Sequence, residues 1–194
     1  VLASPLQLAV MAARVATGRQ ITPRLVRAID GIEQPSMSDA TLGLNENILR
    51  RLRAALDAVS NHTRGTAYGS RIVSDDLRLA GKTGTSQVRR ITQEEREAGI
   101  TRNEDLPWER RDHALFVGYA PVEAPRYAIS VVVEHGGGGS AAAAPIARDV
   151  LLQAMFDGPP PLSAYPANLR SQIEAQQQRI KERVAPGSST SGRA

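Results

Sequence analysis

The chain opens on a block that is apolar at almost every position. From Leu6 to Ala16 only Gln7 and Arg14 are polar. Ahead of it, Ser4-Pro5-Leu6-Gln7 reads as a helix start: Ser4 can cap, Pro5 suits the first turn and Gln7 completes a capping box. The pattern predicts a helix from Pro5 to about Thr17, stopped by Gly18. A helix apolar all round must be covered on every side. Residues 21–44 carry Pro23, Gly31, Pro35 and Gly43 as punctuation and are expected to be irregular. Between Asn45 and Asn61, Ile48, Leu52, Leu56 and Val59 recur at helical spacing. Arg50, Arg51, Arg53 and Asp57 fall on other faces, so an amphipathic surface helix is expected.

The period then changes to that of strands. Leu79 to Val88 is short, small and extended. His113 to Ala120 alternates through Leu115, Val117 and Tyr119, and Tyr127 to His135 through Ile129, Val131 and Val133. The turn from Pro121 to Arg126 is short, so these two strands should pair antiparallel. Between Arg89 and Asp112 lies a long, highly charged excursion of the kind that is functional or disordered. Gly136 to Gly139 ends the last strand. A helix is expected from Ala142 or Pro145 to Phe156, packing on the sheet through Ile146, Val150, Leu151, Ala154 and Met155. The expected organisation is a main unit over residues 1–157, a stiff Pro-rich linker over 158–167, a polar Gln- and Arg-rich helix over 168–184 and a disordered Gly/Ser tail over 185–194.

Composition sharpens this picture. Aromatic residues are only 4%, so the core must be built from aliphatic residues and alanine. Cysteine is absent, which excludes a disulfide scaffold and a thiolate metal site. The 194 residues suit one domain, no apolar run reaches the ~18–20 residues of a membrane span, and no signal peptide opens the chain. The first residue is Val1, and the expectation is a piece of something longer. The net charge is +4, and only Lys82 and Lys181 among 24 basic residues are lysines. The arginines are scattered among Asp and Glu without an aromatic platform, so no nucleic-acid partner is expected.

The first candidate for chemistry is Lys82-Thr83-Gly84-Thr85. Glycine weakens a strand unless something must approach the backbone closely. One cation, two hydroxyls and free edge N–H groups would suit a carboxylate-bearing ligand lying along the strand; the plain alternative is an exposed edge with an ordinary lysine. Gly81-Lys82-Thr83 looks like the end of a P-loop, but that motif needs glycine where Asp76 stands and a helix where strand continues. His135-Gly136-Gly137-Gly138-Gly139 resembles an esterase oxyanion loop, yet no Gly-x-Ser-x-Gly elbow exists. It is read as a flexible turn that lets the next helix fold back on the sheet. His62, His113 and His135 lack metal-ligand spacing, so no metal site is expected, and no cofactor is called for.

Several segments, in order, carry a family resemblance: Ala3-Ser4-Pro5-Leu6-Gln7-Leu8-Ala9, Gly65-Thr66-Ala67-Tyr68-Gly69-Ser70, Gly81-Lys82-Thr83-Gly84-Thr85-Ser86-Gln87-Val88, Arg111-Asp112-His113-Ala114-Leu115-Phe116-Val117-Gly118 and Val133-Glu134-His135-Gly136-Gly137-Gly138-Gly139-Ser140. The set resembles the C-terminal part of the transpeptidase domain of penicillin-binding proteins, and within it the class B, elongation-type group called penicillin-binding protein 2. The resemblance implies an α+β fold: three antiparallel strands, with packed helices, of a sheet that has five strands in the whole domain. It implies a peptidoglycan D,D-transpeptidase, in which a serine of a Ser-x-x-Lys motif attacks D-Ala-D-Ala stem peptides and is acylated by β-lactams. Lys82, Thr83, Gly84 and Thr85 would bind substrate, and the backbone N–H of Thr85 would be an oxyanion donor. The excursion from Arg89 to Asp112 would overhang the site. Implied partners are a membrane glycosyltransferase and cell-elongation scaffold proteins. The implied location is the periplasmic face of the inner membrane, with a single-pass anchor outside this sequence.

The sequence departs from the pattern at the nucleophile. Three residues before Lys82 stands Leu79, and three before Lys181 stands Gln178, so Ser-x-x-Lys is absent; so is Ser-x-Asn. The expectation is a C-terminal stretch of the domain that holds the Lys-Thr-Gly strand and no activated serine, inactive alone, with the strand from Tyr127 presenting an open apolar edge. The competing class is a non-catalytic binding or interaction module.

Overall fold

The computed structural model describes residues 2–34, 40–88, 93–97 and 103–184. Arg89 and Arg90, and the tail over 185–194, lie outside the described residues. The first helix, α1, runs Pro5–Thr17. Ser4 Oγ accepts from the Gln7 N–H while Gln7 Oε1 accepts from the Ser4 N–H, the reciprocal box read from the sequence. Gly18 closes the helix in a left-handed conformation. Only Ala12 and Ala16 of α1 are buried, while Leu6 (58% exposed) and Met11 (47%) stay open. The all-round cover that the composition asks for is therefore only partly present among the described residues.

The segment expected to be irregular contains a small hairpin. β1 (Ala28–Ile29) pairs antiparallel with β2 (Ile32–Glu33). Asp30 and Gly31 between them both take positive φ, 49° and 79°, the conformation an Asp-Gly hairpin turn requires. The second helix, α2, spans Glu46–Asn61 with Asn45 as its cap. It is tied to its neighbours by polar bonds: Arg53 Nε donates to the Val15 carbonyl of α1 at 2.9 Å, and Asn61 Nδ2 donates to the Leu79 carbonyl at 2.9 Å.

Three strands form the central sheet: β3 (Ala80–Ser86), β4 (His113–Ala120) and β5 (Tyr127–Val133). Their order is β3-β4-β5, antiparallel throughout, with Lys82 opposite Val117 and Phe116 opposite Val131. Both outer strands have one unpaired edge among the described residues. Between β3 and β4 lie α3 (Gln93–Glu97) and two short 3-10 turns, Asn103–Asp105 and Trp108–Arg110. A cis Ala120–Pro121 bond opens the turn into β5, and β5 ends at Val133, two residues short of the sequence expectation.

The pleat sorts the strands into two faces. Ala114, Phe116 and Ala120 of β4, with Ile129, Val131 and Val133 of β5, pack against α4 (Ala143–Met155). The opposite face carries Ala80 and Tyr119, which meet Ala16 of α1 and Leu56 of α2. Helices thus cover both faces of the sheet. The contact face of α4 differs from the one expected. Ile146 (43%), Val150 (51%) and Ala154 are exposed, and the helix packs through Ala143, Ala144, Ala147, Leu151 and Leu152. The physical reason is close approach: alanines at adjoining positions let the helix axis settle near the strands, and the larger branched residues are turned outward. Arg148 is carried inward with them, bonded to Asp149 at 2.8 Å and stacked over Tyr165.

The Pro-rich segment after α4 is packed. Ala164 and Tyr165 are buried in the main core, and Pro166 is fully buried. The final helix, α5 (Arg170–Val184), adds Ile173 to the same core and leaves Ile180 exposed.

Candidate functional site

β3 places the sequence-selected residues at a sheet edge. Lys82 is exposed, and its ammonium donates to the carbonyl of Thr83 at 2.8 Å. It has no carboxylate partner among the described residues. Lys82, Thr83 and Thr85 do not share one face. Alternation along the strand puts Lys82 and Gly84 on the side of Val117 and Leu115, and Thr83 and Thr85 on the side of Phe116 and Ala114. A ligand lying along the strand would therefore meet these side chains on two faces of the sheet and the backbone at the edge between them.

The strand is fixed from behind. Thr66, in the turn after α2, bonds hydroxyl to hydroxyl with Thr83 at 2.8 Å. This pairing links two segments that the sequence offered separately, and it holds the Thr83 rotor. Gly81 and Gly139 have close protein neighbours as their reason. A Cβ on Gly81 would lie 2.3 Å from Cζ of Phe116, whose ring crosses the strand there. A Cβ on Gly139 would lie 2.3 Å from the Leu115 carbonyl and 2.4 Å from that of Gly84. The Gly-rich turn after β5 therefore presses on the backbone of the Lys-Thr-Gly strand. It is a fitted support at Gly139, and the helix that follows folds back on the sheet as the sequence reading expects.

The root of that turn is a cluster of rings and carbonyls. His135 has φ of +54°, a left-handed conformation outside glycine's domain. Its backbone N–H donates to His113 Nδ1 at 2.9 Å, and its own Nδ1 reaches the Arg111 carbonyl at 2.9 Å. Its ring lies 4.4 Å from Trp108 and 4.7 Å from His113, centroid to centroid. Asn103 bonds both the backbone N–H and the carboxylate of Asp112, whose carbonyl accepts from Gly137. The described part of the excursion between β3 and β4 is thus attached to the Gly-rich turn. No group of three or more metal-ligating side chains occurs among the described residues.

A family model for the penicillin binding protein transpeptidase domain matches residues 1–152. The chain belongs to that family. Among curated relatives, it is similar to the peptidoglycan D,D-transpeptidase MrdA of Acinetobacter baumannii, 36% identical over 142 residues, covering 69% of this chain and 20% of the relative. The Haemophilus influenzae protein of the same name is 33% identical over 158 residues, covering 77% and 23%. The chain therefore spans about a fifth of the length of these transpeptidases. Among solved structures, Pseudomonas aeruginosa PBP2 in complex with WCK 5153 superposes with a TM-score of 0.63 at 32% identity, covering 86% of this chain and 32% of that one. Helicobacter pylori PBP2 in complex with MreC gives 0.55 at 33% identity, covering 78% and 25%. The α+β architecture with a three-stranded antiparallel sheet is that of this transpeptidase family, as the ordered motifs implied.

Proposed function

We propose that the chain is the substrate-docking part of a peptidoglycan D,D-transpeptidase of the penicillin-binding protein 2 type, and that the serine it works with lies outside these 194 residues. The observation that carries the reading is the edge of β3 that no described strand pairs, where the Lys82 ammonium has no carboxylate partner among the described residues. An edge strand with unpaired backbone groups accepts an extended peptide as an added strand. A lone ammonium beside it attracts a C-terminal carboxylate. A stem peptide ending in D-Ala-D-Ala offers both features. In this arrangement Lys82 and Thr83 hold the terminal carboxylate, the bare backbone at Gly84 lets the peptide lie close, and the Thr85 N–H faces the scissile carbonyl oxygen. Such a donor is worth ~2.7–4 kcal/mol of barrier in acyl-transfer enzymes.

The reaction has two halves. The serine oxygen attacks the penultimate D-Ala carbonyl, the terminal D-Ala leaves with a proton, and an acyl-enzyme remains. An amine of a neighbouring stem peptide then attacks the ester, forming the cross-link and returning the serine. A β-lactam enters the first half and stalls there. Positioning and an oxyanion donor supply no nucleophile, so the chain alone forms no acyl-enzyme. The setting that goes with this reading is the periplasmic face of the inner membrane, beside a membrane glycosyltransferase and elongation scaffold proteins; the MreC complex of the Helicobacter pylori relative supports the last. No described helix is long and apolar enough to cross a membrane. The test is Lys82→Ala in the complete transpeptidase that carries this segment. Loss of a charge-assisted contact worth about 1.5–3 kcal/mol slows β-lactam acylation about ten- to a hundredfold. Acylation at the unmodified rate would remove Lys82 from the site.

A further inference from the structure

His135 is held in a conformation that a β-carbon disfavours, and such residues persist where the surroundings over-determine them. Here four contacts do so: the bond to His113, the bond to the Arg111 carbonyl, and the rings of Trp108 and His113. The partners also fix which nitrogens carry protons. A carbonyl only accepts, so His135 Nδ1 carries a hydrogen. A backbone N–H only donates, so His113 Nδ1 is a bare lone pair and its proton sits on Nε2. His113 stands opposite Ser86 at the far end of β3, and the turn that His135 starts lays Gly139 on the Gly84 and Leu115 carbonyls.

We propose that His113 and His135 are positioning residues for the docking strand: the His113 lone pair anchors the His135 backbone, the anchored turn presses Gly139 onto Gly84, and the edge of β3 is thereby held in one register and plane. Neither histidine touches the peptide; they act through the glycine turn. The inference rests on the docking role of β3 for its consequence in catalysis, and on geometry alone for the mechanical link.

The mechanical link is tested in this chain. Nitrogen-15 spectra of the imidazoles show His135 protonated at Nδ1 and His113 at Nε2, a signature that simple burial would not set. His113→Leu removes the acceptor at similar bulk, and the amides of Gly84 and Gly139 then exchange with solvent at least tenfold faster. His113→Asn puts an oxygen acceptor near the Nδ1 position and restores most of the protection. The catalytic consequence is tested in the complete transpeptidase, where His113→Leu slows β-lactam acylation at least tenfold and His113→Asn recovers it. Opposite tautomers, or exchange in His113→Leu that matches the parent or is not rescued by His113→Asn, would overturn the link. Faster exchange with unchanged acylation would overturn the positioning role and leave the Lys82 reading to its own experiment. If His113→Leu does not fold, the tautomers of the parent chain and the exchange of His113→Asn decide the link.

Discussion

Gly139→Ala probes the contact on which β3 rests. The added methyl would stand 2.3 Å from the Leu115 carbonyl oxygen, 2.4 Å from that of Gly84 and 2.9 Å from the Gly84 nitrogen. All three are backbone atoms inside a sheet, so no side chain can swing aside. The turn must lift or the strand must bend, and such overpacking costs about 1–3 kcal/mol. Gly138 is the internal control, because a methyl there meets nothing within 4 Å and its φ is not positive. Gly138→Ala is expected to be neutral or to stabilise by up to ~1 kcal/mol through the unfolded chain. For a chain of this size each 1 kcal/mol shifts Tm by about 2–4 °C, so the two variants should separate clearly in thermal or urea unfolding. Equal stability of the two, within about 0.5 kcal/mol, would refute the close approach of turn and strand.

Leu152→Ala, at a fully buried position of α4, is expected to cost about 2–5 kcal/mol, whereas Val150→Asp on the exposed side should change urea stability by less than about 1 kcal/mol. Thr66→Val breaks the hydroxyl pair with Thr83 and should cost about 0.5–1.5 kcal/mol by urea unfolding. The buried Tyr119 hydroxyl has no hydrogen-bond partner among the described residues, so Tyr119→Phe should leave stability unchanged or raise it by ~1 kcal/mol. Burial, chiefly, raises the phenol pKa of Tyr119 above its usual range. The folded chain then holds that proton longer than the unfolded chain, so this contribution is intact below about pH 10 and is lost as pH rises beyond it. Ultraviolet titration should show this phenol ionising late, in step with alkaline unfolding, and the late step should vanish in Tyr119→Phe.

Local signals made much of this fold legible. Ser4, Pro5, Gln7 and Gly18 delimit α1 because each acts on its own backbone neighbours. The β5 alternation through Ile129, Val131 and Val133 is legible because that face packs on α4, whereas the β4 alternation through Leu115, Val117 and Tyr119 belongs to the opposite face, where Tyr119 meets Ala16 and Leu56. The β1–β2 hairpin escaped notice because each strand has two residues, although Asp30-Gly31 carried the turn signal. Side-chain size alone does not reveal the face of α4, because close approach of the helix to the sheet favours Ala143, Ala144 and Ala147 beside Leu151 and Leu152. At the site, Lys82 on an edge strand was readable from one cation among small residues. The Thr66–Thr83 pair and the seat of Gly139 on Gly84 were not, since they join segments far apart in the chain and no local pattern encodes which backbone meets which.

The proposed division of labour places substrate docking on these residues and the nucleophile on another segment. Intact-mass spectrometry after incubation with a β-lactam tests it directly. The 194-residue chain should show no adduct, and the complete transpeptidase should gain one adduct per molecule, on a serine outside this sequence. A stoichiometric adduct on any serine of the chain itself would contradict the account.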